Sequence, residues 1–137
     1  MDLKFNKVGV LGTGVMGAQI AAHVSNAKIE VYAFDMTQDV AVDGLENCKK
    51  LKPSPFYNPK TVDMITIMNY NDSLEKINEC DWVVEAISER IDWKQNLYNK
   101  IMPHLNDNCI VTSNTSGLSL SDLSKGLPEN FLKRFFI

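Results

Sequence analysis

Apolar and polar residues alternate along this chain in two periods. Val8-Gly9-Val10-Leu11 is a short apolar run closed by glycine and predicts a buried strand. Gly14 to about Ala27 follows a helical period, with Val15, Met16, Ile20, Ala21 and Val24 expected on one side. Ile29–Phe34 is β-rich, alternates, and ends at Asp35. Thr37 or Asp39 opens the next helix, which runs to about Leu51. Residues 52–59 hold three prolines and predict a loop. Strands are expected at Met64–Met68, Trp82–Ile87 and Cys109–Ser113. A short helix is expected from Asp72 to Asn78. Another, capped by Asp92, should reach about Met102 and stop before Pro103. A last one covers Leu120 to about Lys125, capped by Ser119 or Ser121 and ended by Gly126 and Pro128.

Strands alternating with helices predict an α/β fold, a mostly parallel sheet with helices on both faces. At 137 residues and 45% hydrophobic, residues 1–137 make one domain with one core's worth of apolar material. The formal net charge is −3 and no basic run occurs, which argues against nucleic acid and anionic membranes as partners. No stretch is apolar enough for a membrane span, and Met1–Lys7 lacks a signal-peptide core, so the default expectation is a cytoplasmic protein. Cys48, Cys80 and Cys109 are far apart and odd in number; free thiols are expected, and no metal site. The final Arg134-Phe135-Phe136-Ile137 reads as a strand just beginning, and the expectation is a longer parent protein.

Gly12-Thr13-Gly14-Val15-Met16-Gly17 follows the first strand and opens the first helix. In that context G-x-G-x-x-G is the fingerprint of a doubly wound, Rossmann-type dinucleotide site. Gly12 permits the tight turn, Gly14 lets the backbone approach a pyrophosphate, and Gly17 lets helix and strand pack closely. The helix N-terminus offers N–H groups to the phosphates. Asp35, eighteen residues past Gly17, can accept the adenosine ribose hydroxyls. It would repel a 2′-phosphate, and Met36-Thr37-Gln38 bring no Arg to receive one, so NAD is expected rather than NADP.

Three further segments carry a family resemblance: Cys80 to Arg90 with its V-V-E-A-I core, Lys94 five residues past Glu89, and Thr112 to Leu120 with its S-N-T-S core. In this order after the glycines, they resemble the NAD-binding domain of the 3-hydroxyacyl-CoA dehydrogenases over nearly the whole chain. The resemblance implies NAD-dependent oxidation of an (S)-3-hydroxyacyl-CoA to the 3-ketoacyl-CoA, as in fatty-acid β-oxidation. It implies an acyl-CoA partner and a following helical domain that forms a homodimer. It also implies a general-base His beyond Ile137, so that residues 1–137 alone would be inactive. Ser116 matches the family's serine that bonds the substrate's 3-oxygen, a task within reach of a hydroxyl on a loop at a strand's C-terminal end. Glu89 and Lys94 match positions that contact the nicotinamide half of NAD.

Glu85 ends an apolar strand and needs a buried partner. His23 and His104 lack partners by spacing, and Trp82 and Trp93 are expected to pack. Stand-alone family members carry a long Lys-rich hairpin after the second strand. Here Val40–Lys60 is shorter and broken by Pro53, Pro55 and Pro59, so no CoA-contacting residue is carried over to Lys49, Lys50 or Lys52. Two alternatives stay open: another NAD-dependent β-hydroxyacid dehydrogenase, and a non-catalytic NAD-binding regulator.

Overall fold

The computed structural model describes residues 4–137; Met1–Leu3, part of the N-terminal stretch read above, lie outside the described residues. The elements run β1 (Lys7–Leu11), α1 (Val15–Asn26), β2 (Glu30–Asp35), α2 (Gln38–Lys49), β3 (Ile65–Asn69), β4 (Trp82–Glu85), α3 (Ile91–Ile101), β5 (Ile110–Ser113), α4 (Leu120–Ser124), α5 (Glu129–Leu132) and β6 (Phe135–Phe136). The sheet order is β3-β2-β1-β4-β5-β6, and every pairing is parallel. That is the doubly wound arrangement, with its topological switch between β1 and β4.

The period of two sorts each strand between two cores. Val8, Val10, Val31, Ala33 and Val84 face α1 and α2, beside Ala18, Ala21, Ala22 and Leu45. Leu11, Phe34, Met68, Val83 and Val111 face α3, beside Leu97, Tyr98 and Ile101. Phe131 and Phe135 extend the second core at the β6 edge and stack on each other at 5.2 Å.

Several local expectations change. Val15 and Met16 are 72% and 55% exposed, and the buried face of α1 is Gly17, Ala18, Ala21, Ala22, Val24 and Ser25. Small residues let this helix lie close on the sheet, which turns Val15 and Met16 outward. β4 stops at Glu85 rather than Ile87. Ala86 N still donates to Leu11 O, but Ile87 N is diverted to the Glu85 carboxylate at 2.9 Å. Asp92 does not cap α3. Arg90 holds its carboxylate at 3.0 Å, and the N-cap lies two residues earlier, at Arg90, with Lys94 N donating to Arg90 O. The backbone also continues past the expected stop as a 3-10 turn over Met102–His104. Thr37 and Ser119 do cap, accepting from Val40 N and Asp122 N. The expected helix at Asp72–Asn78 is a 3-10 helix at Leu74–Glu79, and α5 was not foreseen. No helix among the described residues is long and apolar enough to cross a membrane. The three cysteines are free and buried.

Candidate dinucleotide and substrate site

The C-terminal ends of the parallel strands point to one edge, and the loops leaving β1, β2, β4 and β5 gather there. The first loop is shaped by its glycines. Gly12 has φ +100°, a region that suits glycine, and a Cβ there would lie 2.8 Å from Ala86 O. A Cβ on Gly17 would lie 1.9 Å from Gly12 O, so α1 crosses the strand end at backbone contact. At Gly14 the opposite holds: a Cβ would meet nothing within 4 Å. The bare backbone there opens onto solvent. Gly14 is the N-cap of α1 and no side chain caps it, so the first-turn N–H groups remain available to an anion. Val15 and Met16 stand exposed beside them.

Thr13 is 3% exposed and serves Asp35. Its backbone N–H and hydroxyl donate to Asp35 Oδ2 at 2.8 and 2.9 Å, while Met36 N donates to Oδ1 at 2.7 Å. The carboxylate is thus aimed across the loop, with acceptor capacity left on the half-buried oxygens. Gly44 was not anticipated. A Cβ there would lie 2.1 Å from Thr13 O, so α2 needs a glycine to approach the loop. Only the fold reveals this, since Gly44 is just a mid-helix glycine in the sequence.

A crevice of about 700 Å³ runs from Gly12, Gly14 and Asp35 past Met36 and Tyr70 to Ile87, Trp93 and Lys100. Trp93 corrects a prediction. It does not pack inside; it is 47% exposed on the crevice wall, with the Arg90 guanidinium 4.4 Å from its ring centre. Position 93 falls on the side of α3 that faces the crevice, which periodicity alone did not locate. Trp82 does pack, against Phe5, and its indole N–H reaches Thr112 Oγ1 at 2.9 Å. Tyr70 is also new. Its ring lies parallel to Phe34, and its hydroxyl is buried without a hydrogen-bond partner among the described residues. Burial is the main cause holding that phenol well above its ordinary ionisation range.

The loop after β4 lines the crevice with Ala86, Ile87 and Ser88, and the loop after β5 touches that loop. Glu89 is exposed on the first, its side chain retaining 45% of its accessible area, and Ser116 is exposed on the second. The two loops touch: Thr115 Oγ1 donates to Glu89 Oε2 at 2.6 Å. Lys94 is different. It is fully buried, 2.5 Å from Glu85 Oε2, 3.3 Å from Ile87 O and 3.7 Å from Glu89 Oε1. Glu85, the strand-end acid that needed a partner, has four, accepting also from Ser113 Oγ at 2.7 Å, from the Tyr98 hydroxyl and from Ile87 N. His23 is exposed and His104 half-buried, both away from this edge.

The residues fit a dinucleotide. The open backbone at Gly14, the uncapped helix end, the aimed Asp35 carboxylate and the unpartnered Tyr70 hydroxyl all border one crevice at the switch point of the sheet. Fold and site together define a Rossmann-type dinucleotide-binding domain.

Comparison with known proteins narrows the class. The family model described as 3-hydroxyacyl-CoA dehydrogenase, NAD binding domain, matches residues 7–136. A relative from Rickettsia felis, named "Putative fatty acid oxidation complex trifunctional enzyme", is 41% identical over 144 residues, covering 100% of this chain and 20% of that protein. A "Probable 3-hydroxyacyl-CoA dehydrogenase" of Deinococcus radiodurans is 35% identical, covering 97% of this chain and 40% of the relative. The crystal structure of the 3-hydroxyacyl-CoA dehydrogenase from Archaeoglobus fulgidus matches with a TM-score of 0.76 at 27% identity, covering 94% of this chain and 40% of that one. This chain belongs to the 3-hydroxyacyl-CoA dehydrogenase family, as its NAD-binding domain. It spans between one fifth and two fifths of the length of these relatives.

Proposed function

We propose that this chain is the cofactor domain of an enzyme that oxidises (S)-3-hydroxyacyl-CoA to 3-ketoacyl-CoA, working with a further helical domain that pairs two subunits. The observation that carries the reading is the meeting of two loops. Thr115, next to Ser116 on the loop after β5, donates to Glu89 on the loop after β4, whose neighbour Ser88 lines the crevice.

In this reading Gly12–Gly17 seat the pyrophosphate and Asp35 holds the adenosine ribose. Glu89 accepts from the ribose of the nicotinamide half. Lys94 belongs to the same end, but its amine is buried behind Glu89 and acts through it. NAD, when bound, supplies the hydride acceptor. Ser116, exposed on its loop, donates or accepts one bond at the substrate's 3-oxygen and so holds the reacting carbon in register. Oxidation of that alcohol also needs a base; the family resemblance puts a His in that role, outside residues 1–137.

The test is a titration of this domain with NAD and NADP, paired with an assay of the complete protein on acetoacetyl-CoA and NADH. Tight NAD binding with NADH-dependent turnover is expected. Preference for NADP, or activity only on free β-hydroxyacids, would overturn the proposal.

A further inference from the structure

Four polar side chains are buried together beneath the two loops: Glu85, Lys94, Tyr98 and Ser113. Their meeting follows from register. Glu85 and Ser113 are opposite each other on β4 and β5, and Lys94 and Tyr98 are four residues apart on α3. The strand pair faces α3, and the helix pair faces back. As a stabilising device the arrangement is poor, because a buried ion pair often gains nothing over well-packed apolar residues of similar volume. Its bonds, however, lead to the loops. Glu85 Oε2 accepts from Ile87 N and Lys94 Nζ, and Lys94 Nζ also donates to Ile87 O. Lys94 pairs onward with Glu89, which accepts from Thr115. On the other side, Glu85 Oε1 accepts from Ser113, and Glu85 O accepts from Asn114 N at 2.8 Å. Thr115 Oγ1 then accepts from Leu118 N at 3.1 Å and closes the turn that carries Ser116.

We propose that Glu85 is a positioning residue: through Lys94 and Ser113 it ties the Ile87–Glu89 loop and the Asn114–Ser116 loop into one unit, so that Glu89 and Ser116 face the nicotinamide end of the crevice together. The proposal rests on the assignment of Glu89 to that end made under Proposed function. Apolar residues could fill the same volume, but they could not direct both loops from one point. Lys94 gives hydrogen bonds to Glu85 and Ile87 and an ion pair at 3.7 Å to Glu89, and so carries this order from Glu85 to Glu89.

The experiment compares NAD with ADP, which keeps the adenosine and diphosphate but lacks the nicotinamide riboside. Glu85→Gln is the direct variant. The double variant Tyr98→Phe with Ser113→Ala removes two of the bonds to Glu85 while keeping the ion pair, and serves if Glu85→Gln does not fold. The expected result is NAD affinity about tenfold weaker, ADP affinity within about twofold of wild type, and faster amide hydrogen exchange at residues 87–89 and 114–116. A purely structural cluster would not separate the two ligands, so equal loss for NAD and ADP, or loss for neither, overturns the proposal. Wild-type protein that binds NAD no better than ADP would overturn the assignment of Glu89, and this inference with it.

Discussion

Thr13 donates both its backbone N–H and its hydroxyl to a single oxygen of Asp35, at 2.8 and 2.9 Å. The glycine loop and the end of β2 are thereby one piece, and the carboxylate proposed to meet the ribose is held in place by Thr13 and Met36. The arrangement predicts different outcomes for two substitutions. Asp35→Asn keeps an acceptor for Thr13 but loses the charge. It should weaken NAD about tenfold or more, since bonds to a charged group contribute about 1.5–3 kcal/mol, and it should bring NADP closer to NAD. Asp35→Ala strands the nearly buried Thr13 donors and should also lower Tm. Calorimetric titration with both cofactors and thermal melts check this; an unchanged NAD-to-NADP ratio in Asp35→Asn would contradict it.

Gly14→Ala and Gly44→Ala should behave as opposites. Gly14 has ordinary backbone angles (φ −64°, ψ −170°) and empty space around its missing Cβ. Alanine there should leave the Tm of the free domain nearly unchanged yet weaken NAD by tenfold or more, because the methyl group would stand where the diphosphate is proposed to approach. Gly44 lies mid-helix, where alanine normally gains about 1 kcal/mol. Here its Cβ would lie 2.1 Å from Thr13 O, and forced overpacking costs about 1–3 kcal/mol, so the sign reverses and Tm falls. Melts of the two variants with and without NAD separate the effects.

Tyr70→Phe removes a buried hydroxyl that has no partner among the described residues. The free domain should be as stable as wild type or slightly more so, because an unpaired buried polar group carries its desolvation penalty uncompensated. A clear fall in Tm would show that the hydroxyl is satisfied in solution.

Ser116→Ala in the complete protein should lower turnover about tenfold or more while NAD affinity stays within about twofold, because the exposed side chain is proposed to bond the substrate's 3-oxygen rather than the cofactor. Equal losses would move Ser116 to the cofactor.

The thiols give a pH prediction. Burial is the first cause that pushes Cys80 up to about 12 and Cys109 up to about 11, and it raises Cys48 as well. The folded state therefore keeps thiol protons that the unfolded chain releases near the ordinary value of 9.0. Above that pH the unfolded state binds fewer protons, so this contribution to stability is full below about 9 and declines as pH rises toward 12. Denaturant midpoints measured from pH 8 to 11 should fall accordingly. At pH 8 a thiol reagent should react with none of the three cysteines until the protein is unfolded.

What the sequence determined by itself was local or short in range. The glycine spacing, the acid at the end of β2 and the alternation of the strands are each encoded within a few turns of chain, and the doubly wound fold with Gly12, Gly14 and Asp35 on one crevice follows from them. The V-V-E-A-I and S-N-T-S segments placed Glu89 and Ser116 on loops, which is where they stand. What only the tertiary structure decided depends on distance across the fold. Gly44 matters because α2 touches Thr13, thirty-one residues earlier in the chain. Trp93 lines the crevice because of the rotation of α3 against the sheet, and Lys94, its neighbour, is consequently turned inward to Glu85. One residue along a helix is about 100° of rotation; Leu97, Tyr98 and Ile101 turn their side of α3 to the sheet, and the charged Lys94 shares that side, which its residue type does not announce.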